Sequence, residues 1–540
     1  MAEIISWSSL QGLPRLTELF FERRPSVVNL LGGDWRNQDL RQFTRERRLT
    51  TERPSGLGRA IRRSYGKDEI PPAVDRSLDA LDQTDALAVV TGQQLGLFGG
   101  PLYTYYKALT TVLLARELEA ESNGPVIPVF WMESADSDFN EVNRISFPSQ
   151  DSAPRRATYT PRDIVAGKSV RCHHFTDEII PPRQEVESWL QDLPHGVVWQ
   201  DALRGLYQPA ASLTSAFRNL MTRLMGDYGL VIVDPFHPEL RDRMKTFWQL
   251  CLERPERLNY TYAVCSSEIE TMRLPLQVRL RDETLPIYQI NAEGLRRRIK
   301  GDKGNYKFSV TGEDITSEGL FSLLEDQEGF LAPAVLLRPL YQDFLLPTWI
   351  QVAGPSEIAY LAQIGRSYDL LGTPRPLIAP RLSLTLVERQ VRRLLEKHNW
   401  TVAETLGGRE VLMRRTGRSE SLKELFDHGS QQLEGWRQRI AVMAEEASIN
   451  LAFELDKAGQ RMNHQWEKLR NITERKLALR DQTRLEHAQK LSDRLLPEGS
   501  LQERQQNVLY YAAKFGDRLA QAIETDAEVF AAQHVVIDLE

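Results

Sequence analysis

The stretch Thr91-Gly92-Gln93-Gln94-Leu95-Gly96-Leu97-Phe98-Gly99-Gly100-Pro101 constrains this chain more than any other. It follows the apolar run Ala86-Leu87-Ala88-Val89-Val90, which predicts a buried strand over 86–91. It opens into a segment where Leu102, Tyr106, Leu109 and Leu113 recur at helical spacing. Pro101 suits the first helical position, where no N–H is needed. After a helix of about 20 residues comes a second apolar run, 126–132, Val-Ile-Pro-Val-Phe-Trp-Met. Strand, turn, helix and strand make a βαβ crossover, whose two strands lie parallel and side by side. The loops after both strands then emerge at one edge of the sheet, where open α/β sheets bind ligands.

The chemistry of the two loops is complementary. The glycines let backbone N–H groups approach an anion, and Lys107, in the second helical turn, adds a positive charge. The second strand ends in the acidic cluster Glu133, Asp136, Asp138 and Glu141. The glycine pattern is neither a Walker A loop nor a dinucleotide fingerprint, because GxxxxGK[ST] does not occur and GxGxxG does not follow the strand. Two plainer readings stand beside the ligand reading. The glycines can form a tight turn without a ligand, and the acidic loop can be a solvated cap for the next helix.

Further strands are expected at Leu230-Val231-Ile232-Val233-Asp234 and at Ala334-Val335-Leu336-Leu337-Arg338. The fold class is therefore α/β, a Rossmann-like parallel-sheet core spanning 1–378. Insertions at about 148–228 and 258–332 interrupt it, the second carrying short β-like runs such as Gln277-Val278-Arg279-Leu280. From 379 the pattern becomes helical. Leu422, Leu425, Leu433, Trp436, Ile440 and Met443 mark one long helix, and Leu455, Met462, Trp466, Leu469, Ile472, Leu479, Leu485, Leu491 and Leu495 mark a second. A break near Ser448-Ile449-Asn450 separates them. A narrow apolar seam with charged flanks predicts an antiparallel coiled-coil domain over 379–495, suited to a homodimer or to packing within one monomer. Residues 496–540 form a C-terminal helical segment packing back on the core.

The remaining classes narrow quickly. A chain of 540 residues with 41% hydrophobic content and a net charge of −6 suits a multidomain enzyme, with no nucleic-acid or membrane partner. It shows no signal peptide and no apolar run of spanning length, so a cytoplasmic location is expected. Cys172, Cys251 and Cys265 are odd in number and widely spaced, which argues against a disulfide framework. Cys172-His173-His174 lacks a second ligand pair at zinc spacing, so no metal site is assigned.

With these residues in view, the chain resembles the BshC family, the cysteine ligases proposed for bacillithiol synthesis. The likeness rests on GQQLGLFGGPLYTYYK, on PVFWM followed by DSDFNEVN, on RPLYQDFLLPT from Arg338, on GPSEIAY from Gly354, on Ala379-Pro380-Arg381-Leu382-Ser383, and on LPEGSLQERQQN with Tyr510-Tyr511. One departure stands out. The family carries an Asp-His-Asp triplet in the acidic loop, whereas this chain has Ser137 at the histidine position and Ala135 two residues earlier. Imidazole exchanges a proton near neutral pH and serine does not.

The resemblance implies a ligase that joins the carboxylate of cysteine to the amine of glucosaminyl-malate, with ATP or ADP as nucleotide, Mg²⁺ where a triphosphate is used, and a homodimer through the coiled coil. Catalytic candidates are Gln93, Gln94, Lys107, Asp136 and Asp138. The glycine loop and Lys107 are expected to hold phosphate or the activated acyl group, and Asp136 and Asp138 the amine or Mg²⁺. Substrate-binding candidates are Gly92, Gly96, Gly100, Tyr103, Trp131, Asn143, Arg338, Gln342, Asp343, Gly354, Glu357, Tyr360 and Arg381. Of these, Arg338, Gln342 and Asp343 are expected to read the malyl carboxylates and sugar hydroxyls. Arg504, Asn507 and Tyr511 recur at i, i+3 and i+7 and are expected to form a second, nucleotide-binding face; docking of that helix on the core is the plainer reading. Two other functions stay open: a nucleotidyltransferase or aminoacyl-adenylate enzyme on another small substrate, and a non-catalytic nucleotide-binding dimer.

Overall fold

The computed structural model describes residues 3–7, 10, 12–34, 36, 56–83, 85–122, 124–149, 153–253, 255–279, 284–302, 304–309, 311–325, 329–416, 420–478, 482–528 and 531–540. The chain forms two units. One holds Met1–Phe147, Arg155–Thr385 and Glu503–Ile537; the other holds Pro148–Pro154, Leu386–Gln502 and Asp538–Glu540.

The first unit is built on five parallel strands, β1 (Leu87–Gln93), β2 (Val126–Met132), β3 (Val231–Val233), β4 (Thr348–Ala353) and β5 (Leu377–Pro380). Their order across the sheet is β5-β4-β1-β2-β3. Every residue of β2, β3, β4 and β5 is buried, as expected for parallel strands covered on both faces. Helix α1 (Leu102–Ser122) makes the first crossover and packs on both β1 and β2. The chain winds from β1 outward to β3, then returns to the other side of β1 for β4 and β5. The strand order reverses between β1 and β4, and such a reversal opens a crevice at the carboxyl ends of the two strands.

The strand expected over 334–338 is not one. Residues 335–337 form a turn in which Leu336 and Leu337 are buried while Val335 is half-buried, and Arg338 opens helix α2 (Arg338–Leu345) with Pro339 in its first turn. A five-residue apolar run does not distinguish a strand from a turn sunk in the core. The strand of this region, Phe330–Pro333, pairs antiparallel with Thr284–Ile290 inside the second insertion. That insertion is a five-stranded antiparallel sheet in the order Asp314–Thr316, Asn305–Phe308, Arg296–Asp302, Thr284–Ile290, Phe330–Pro333. The expected β-like run at 277–280 is bent and unpaired at 277–279, and Leu280 lies outside the described residues. The fourth and fifth parallel strands are not expected from the sequence because Thr348 and Gln351 break the apolar run of β4 and β5 is a four-residue run closed by Pro380.

The second unit contains the helical hairpin. Helices Glu420–Glu446 and Ala452–Ala478 flank the break, and Gln482–Leu495 follows; Leu479 of the expected seam lies outside the described residues. Trp466 donates from Nε1 to the Phe426 carbonyl at 3.1 Å, and the two rings are 5.1 Å apart. Gly429 makes that packing possible, since a Cβ there would sit 2.3 Å from the indole. Trp436, Ile440, Met443 and Phe453 remain 54%, 48%, 68% and 72% exposed.

Candidate functional site

At the strand reversal, Lys107 ties three elements together. Its ammonium donates to the Gly92 carbonyl at 2.7 Å and to Gln93 Oε1 at 2.9 Å, and sits 2.5 Å from Glu357 Oε2. The same Glu357 oxygen accepts from the Gly354 amide at 2.7 Å. Gly354 caps helix α3 (Pro355–Leu361) directly after β4. All three ammonium protons are thus taken, so Lys107 acts as a buried positive centre that joins the ends of β1 and β4. Burial pulls its pKa down, and Glu357 opposes that pull.

The end of β2 supplies the next pair. Glu133 Oε1 lies 3.0 Å from Arg338 Nε, and Arg338 also donates to the Tyr360 hydroxyl at 3.2 Å. Burial pushes the Glu133 carboxyl up to about 7, with Arg338 opposing. A carboxyl in that range exchanges protons at neutral pH. Asp136 behaves differently. Burial alone would raise its pKa, but Arg296 at 3.1 Å, Gln94 at 2.7 Å and the Ser137 amide at 2.7 Å stabilise its charged form and hold it below the usual carboxylate range.

Two further arginines are anchored from distant parts of the chain. Arg381, after β5, donates to Glu503 through two contacts of 2.9 and 2.5 Å, both residues being buried. Arg298, in the insertion sheet, donates from Nε to the hydroxyl of Tyr288 at 3.0 Å, and Arg296 stacks over the same ring at 3.8 Å. Arg296 and Arg298 alternate with Arg297, which turns away to Glu313 and Gln289.

These groups line one open cleft of about 620 Å³. It gathers Gly92, Gln93, Gln94, Tyr103, Lys107, Asp136, Arg338, Gly354, Glu357, Tyr360 and Arg381 of the sequence candidates, and Arg504 from the supposed second face. The cleft also takes Glu133, Glu141, Tyr288, Arg296 and Arg298. The first two stood in the acidic cluster without a role. The arginines could have been suspected only from the spacing of Arg296 and Arg298, which puts both on one face of a strand. No histidine is among the lining residues, and Ser137 is not either.

Other candidates lie elsewhere. Gly96 and Gly100 belong to a buried turn whose amides are used internally, Gly96 to Gln94 and Gly100 to Leu97. A Cβ on Gly96 would stand 2.5 Å from Gly100 Cα, so the glycine serves close packing. The phosphate-cradling expectation for these two residues is therefore corrected. Trp131 is buried edge-on to Tyr341, 5.9 Å away, and Asn143 donates to the Tyr159 carbonyl at 3.2 Å inside the core. Gln342 and Asp343 are also interior: Gln342 donates to Asp343 at 3.0 Å and the Tyr368 hydroxyl to Asp343 at 2.6 Å. Asp138 is exposed at the start of a short helix, Phe139–Val142.

The three residues expected on a separate nucleotide face do not share one. Asn507 caps helix α4 (Val508–Phe515), so Arg504 precedes the break and Tyr511 follows it. Asn507 Nδ2 donates to the carbonyls of Phe98 and Gly100 at 2.9 and 2.6 Å, and Tyr511 donates to Gln506 at 2.5 Å. Among the described residues no group of three or more His, Cys, Asp or Glu side chains is placed to hold a metal ion. Asp136 has both oxygens engaged and Asp138 is not on the cleft, so this pair does not form a magnesium site, and no step is derived through one. Among the described residues no helix is long and apolar enough to cross a membrane.

Comparison with known proteins agrees with this architecture. Residues 11–382 match the family model described as the N-terminal Rossmann-like domain of BshC in bacillithiol biosynthesis, and residues 384–539 match its C-terminal coiled-coil domain. A relative from Salinibacter ruber is 29% identical over 515 residues, covering 93% of this chain and 92% of its own length. One from Koribacter versatilis is 32% identical over 456 residues, 84% of each chain, and one from Heliobacterium modesticaldum is 31% identical over 459 residues, 82% and 81%. All three carry the name of a proposed cysteine ligase, BshC.

Proposed function

This chain belongs to the BshC family of bacillithiol biosynthesis, and from that premise we propose that it is a ligase joining the carboxylate of cysteine to the amine of glucosaminyl-malate. The observation that carries this reading is the pairing of Lys107 with Glu357 and of Glu133 with Arg338 around one cleft at the strand reversal. Amide formation from a free carboxylate needs a better leaving group than oxide, and ATP supplies it by taking that oxygen onto phosphorus. The attacking amine must also lose a proton. Glu133 is the acceptor, because it faces the cleft and its carboxyl is balanced near neutrality by burial and Arg338. It fills the role that Ser137 cannot. Arg338 and the Lys107–Glu357 pair hold that carboxyl and the strand ends in fixed positions, so the cleft needs little reorganisation during reaction.

The protein works in this reading as a cytoplasmic homodimer. Its three cysteines are free, and the hairpin leaves Trp436, Ile440, Met443 and Phe453 as an apolar face for a second copy. The test is mass spectrometry of the purified protein with cysteine, glucosaminyl-malate and Mg-ATP. A product at the bacillithiol mass, with stoichiometric release of ADP or AMP, is expected. A folded protein that yields neither would remove the ligase reading. AMP–pyrophosphate exchange driven by a different amino acid would favour the adenylating alternative.

A further inference from the structure

The charges lining the cleft sort into committed and uncommitted groups. Lys107 is paired with Glu357, Arg338 with Glu133, Arg296 with Asp136, and Arg381 with Glu503. Arg298 and Arg504 line the same cleft and have no acidic partner among the described residues. Glu141 is the lining carboxylate without a cationic partner there; it accepts only from Gln94, at 3.0 Å. The uncommitted charges are therefore two guanidiniums and one carboxylate.

Both arginines are presented by rigid supports. The Tyr288 hydroxyl accepts from Arg298, and the residues are cross-strand partners in the insertion sheet. Arg504 sits between Glu503, locked to Arg381, and Asn507, locked to the glycine turn. Each guanidinium keeps N–H donors for a ligand, and a planar fork matches a carboxylate through two parallel hydrogen bonds. Arg338 would have to leave Glu133 before its guanidinium could hold a ligand carboxylate, at the cost of an uncompensated charge.

We propose that Arg298 and Arg504 bind the two carboxylates of a dicarboxylate-bearing amino sugar and that Glu141 receives its ammonium group. The proposal rests on the ligase reading above and gives its acceptor substrate a site. Two positive centres and one negative centre complement two carboxylates and one amine. A triphosphate, with about four negative charges, would outrun this one pair of free cations, so the nucleotide of the ligase reading is not assigned to Arg298 and Arg504. This assignment moves anion recognition away from Gln342 and Asp343, which are in the core, and from Arg338, which is committed.

The experiment is calorimetric titration of glucosaminyl-malate, malate and methyl glucosaminide into the full chain and into Arg298→Gln, Arg504→Gln and Glu141→Gln. Each arginine variant should weaken glucosaminyl-malate at least about tenfold, the loss of one bidentate contact. Glu141→Gln should weaken glucosaminyl-malate but leave malate unchanged. Arg298→Lys, which keeps charge and loses the fork, should fall between. Circular dichroism of every variant guards against misfolding. Affinities within twofold of the parent in both arginine variants would overturn the proposal, as would weakening of Mg-ATP alone. Product formation with unaltered variants would sink this assignment and spare the ligase reading. A parent that binds none of the three ligands and makes no product would sink both.

Discussion

Glu503 and Arg381 stand 122 positions apart in sequence and face each other across two contacts of 2.9 and 2.5 Å in the interior of the first unit. Ser383 Oγ and the Leu384 amide complete the shell of the same carboxylate. Arg381 reaches the cleft beside Tyr103, with its guanidinium 5.7 Å from the ring, so the C-terminal segment shapes the site through this pair. Glu503→Gln leaves a buried guanidinium without its counter-charge. Unfolding in urea should show a loss of roughly 3–5 kcal/mol, the range for breaking a buried pair. An unchanged midpoint would show that the pair does not hold the segment down.

The proton acceptor makes a pH prediction. Glu133 ionises near pH 7, pushed up by burial against the pull of Arg338. Ligation should rise with pH as the carboxylate forms, with an apparent midpoint near 7. Glu133→Gln should lower kcat by about two orders of magnitude or more and abolish that limb. If the variant keeps the parent's pH–rate profile, another group carries the proton.

His534 predicts how stability responds to acid. It is buried between the hydroxyls of Ser383 and Thr385, at 2.9 and 2.8 Å, and burial pulls its pKa down to about 4. An unfolded histidine takes a proton at about 6.5. Between those values the unfolded chain binds more protons, so stability falls as pH drops from about 6.5 towards 4. The loss should be on the order of 3 kcal/mol and should be absent from His534→Gln. Equal acid sensitivity in both proteins would assign it to other groups.

Asn507 predicts how tightly the glycine turn is held. Its amide donates to the carbonyls of Phe98 and Gly100, whose φ angles of 49° and 71° lie in the left-handed region. Asn507→Ala should cost roughly 2–4 kcal/mol, measured by urea unfolding, because two buried acceptors lose their donors. Asn507→Asp keeps the acceptor for the Leu509 amide, now at 2.8 Å, and loses both donors, so it should be no better than Ala. If Asp restores the parent's stability, the helix cap matters and the clamp does not.

Local pattern carried the first crossover. The apolar runs of β1 and β2 and the helical spacing of α1 lie within one continuous segment, so each can be recognised from its own residues, and Lys107 follows from its place in the helix. The long hairpin was legible for the same reason, since its seam repeats along each helix. The candidate site was legible only in part. The glycines looked like a ligand loop because tight packing and ligand approach call for the same residue; the Asn507 clamp, more than 400 positions away in sequence, separates the two.

The sequence by itself determined that a parallel α/β core holds a strand at 86–91, that this strand and the next open beside one another, and that a helical hairpin follows. Tertiary structure alone decided which strand stands on the other side of β1, which arginines of the insertion reach the cleft, and which carboxylates neutralise the rest. The physical reason is range. Helical and strand periodicity are fixed by neighbours a few residues apart, while an ion pair such as Arg381–Glu503 depends on chain segments that meet only when the sheet is complete. Charge alone could not distinguish the committed arginines from Arg298 and Arg504; their surroundings in the folded unit do.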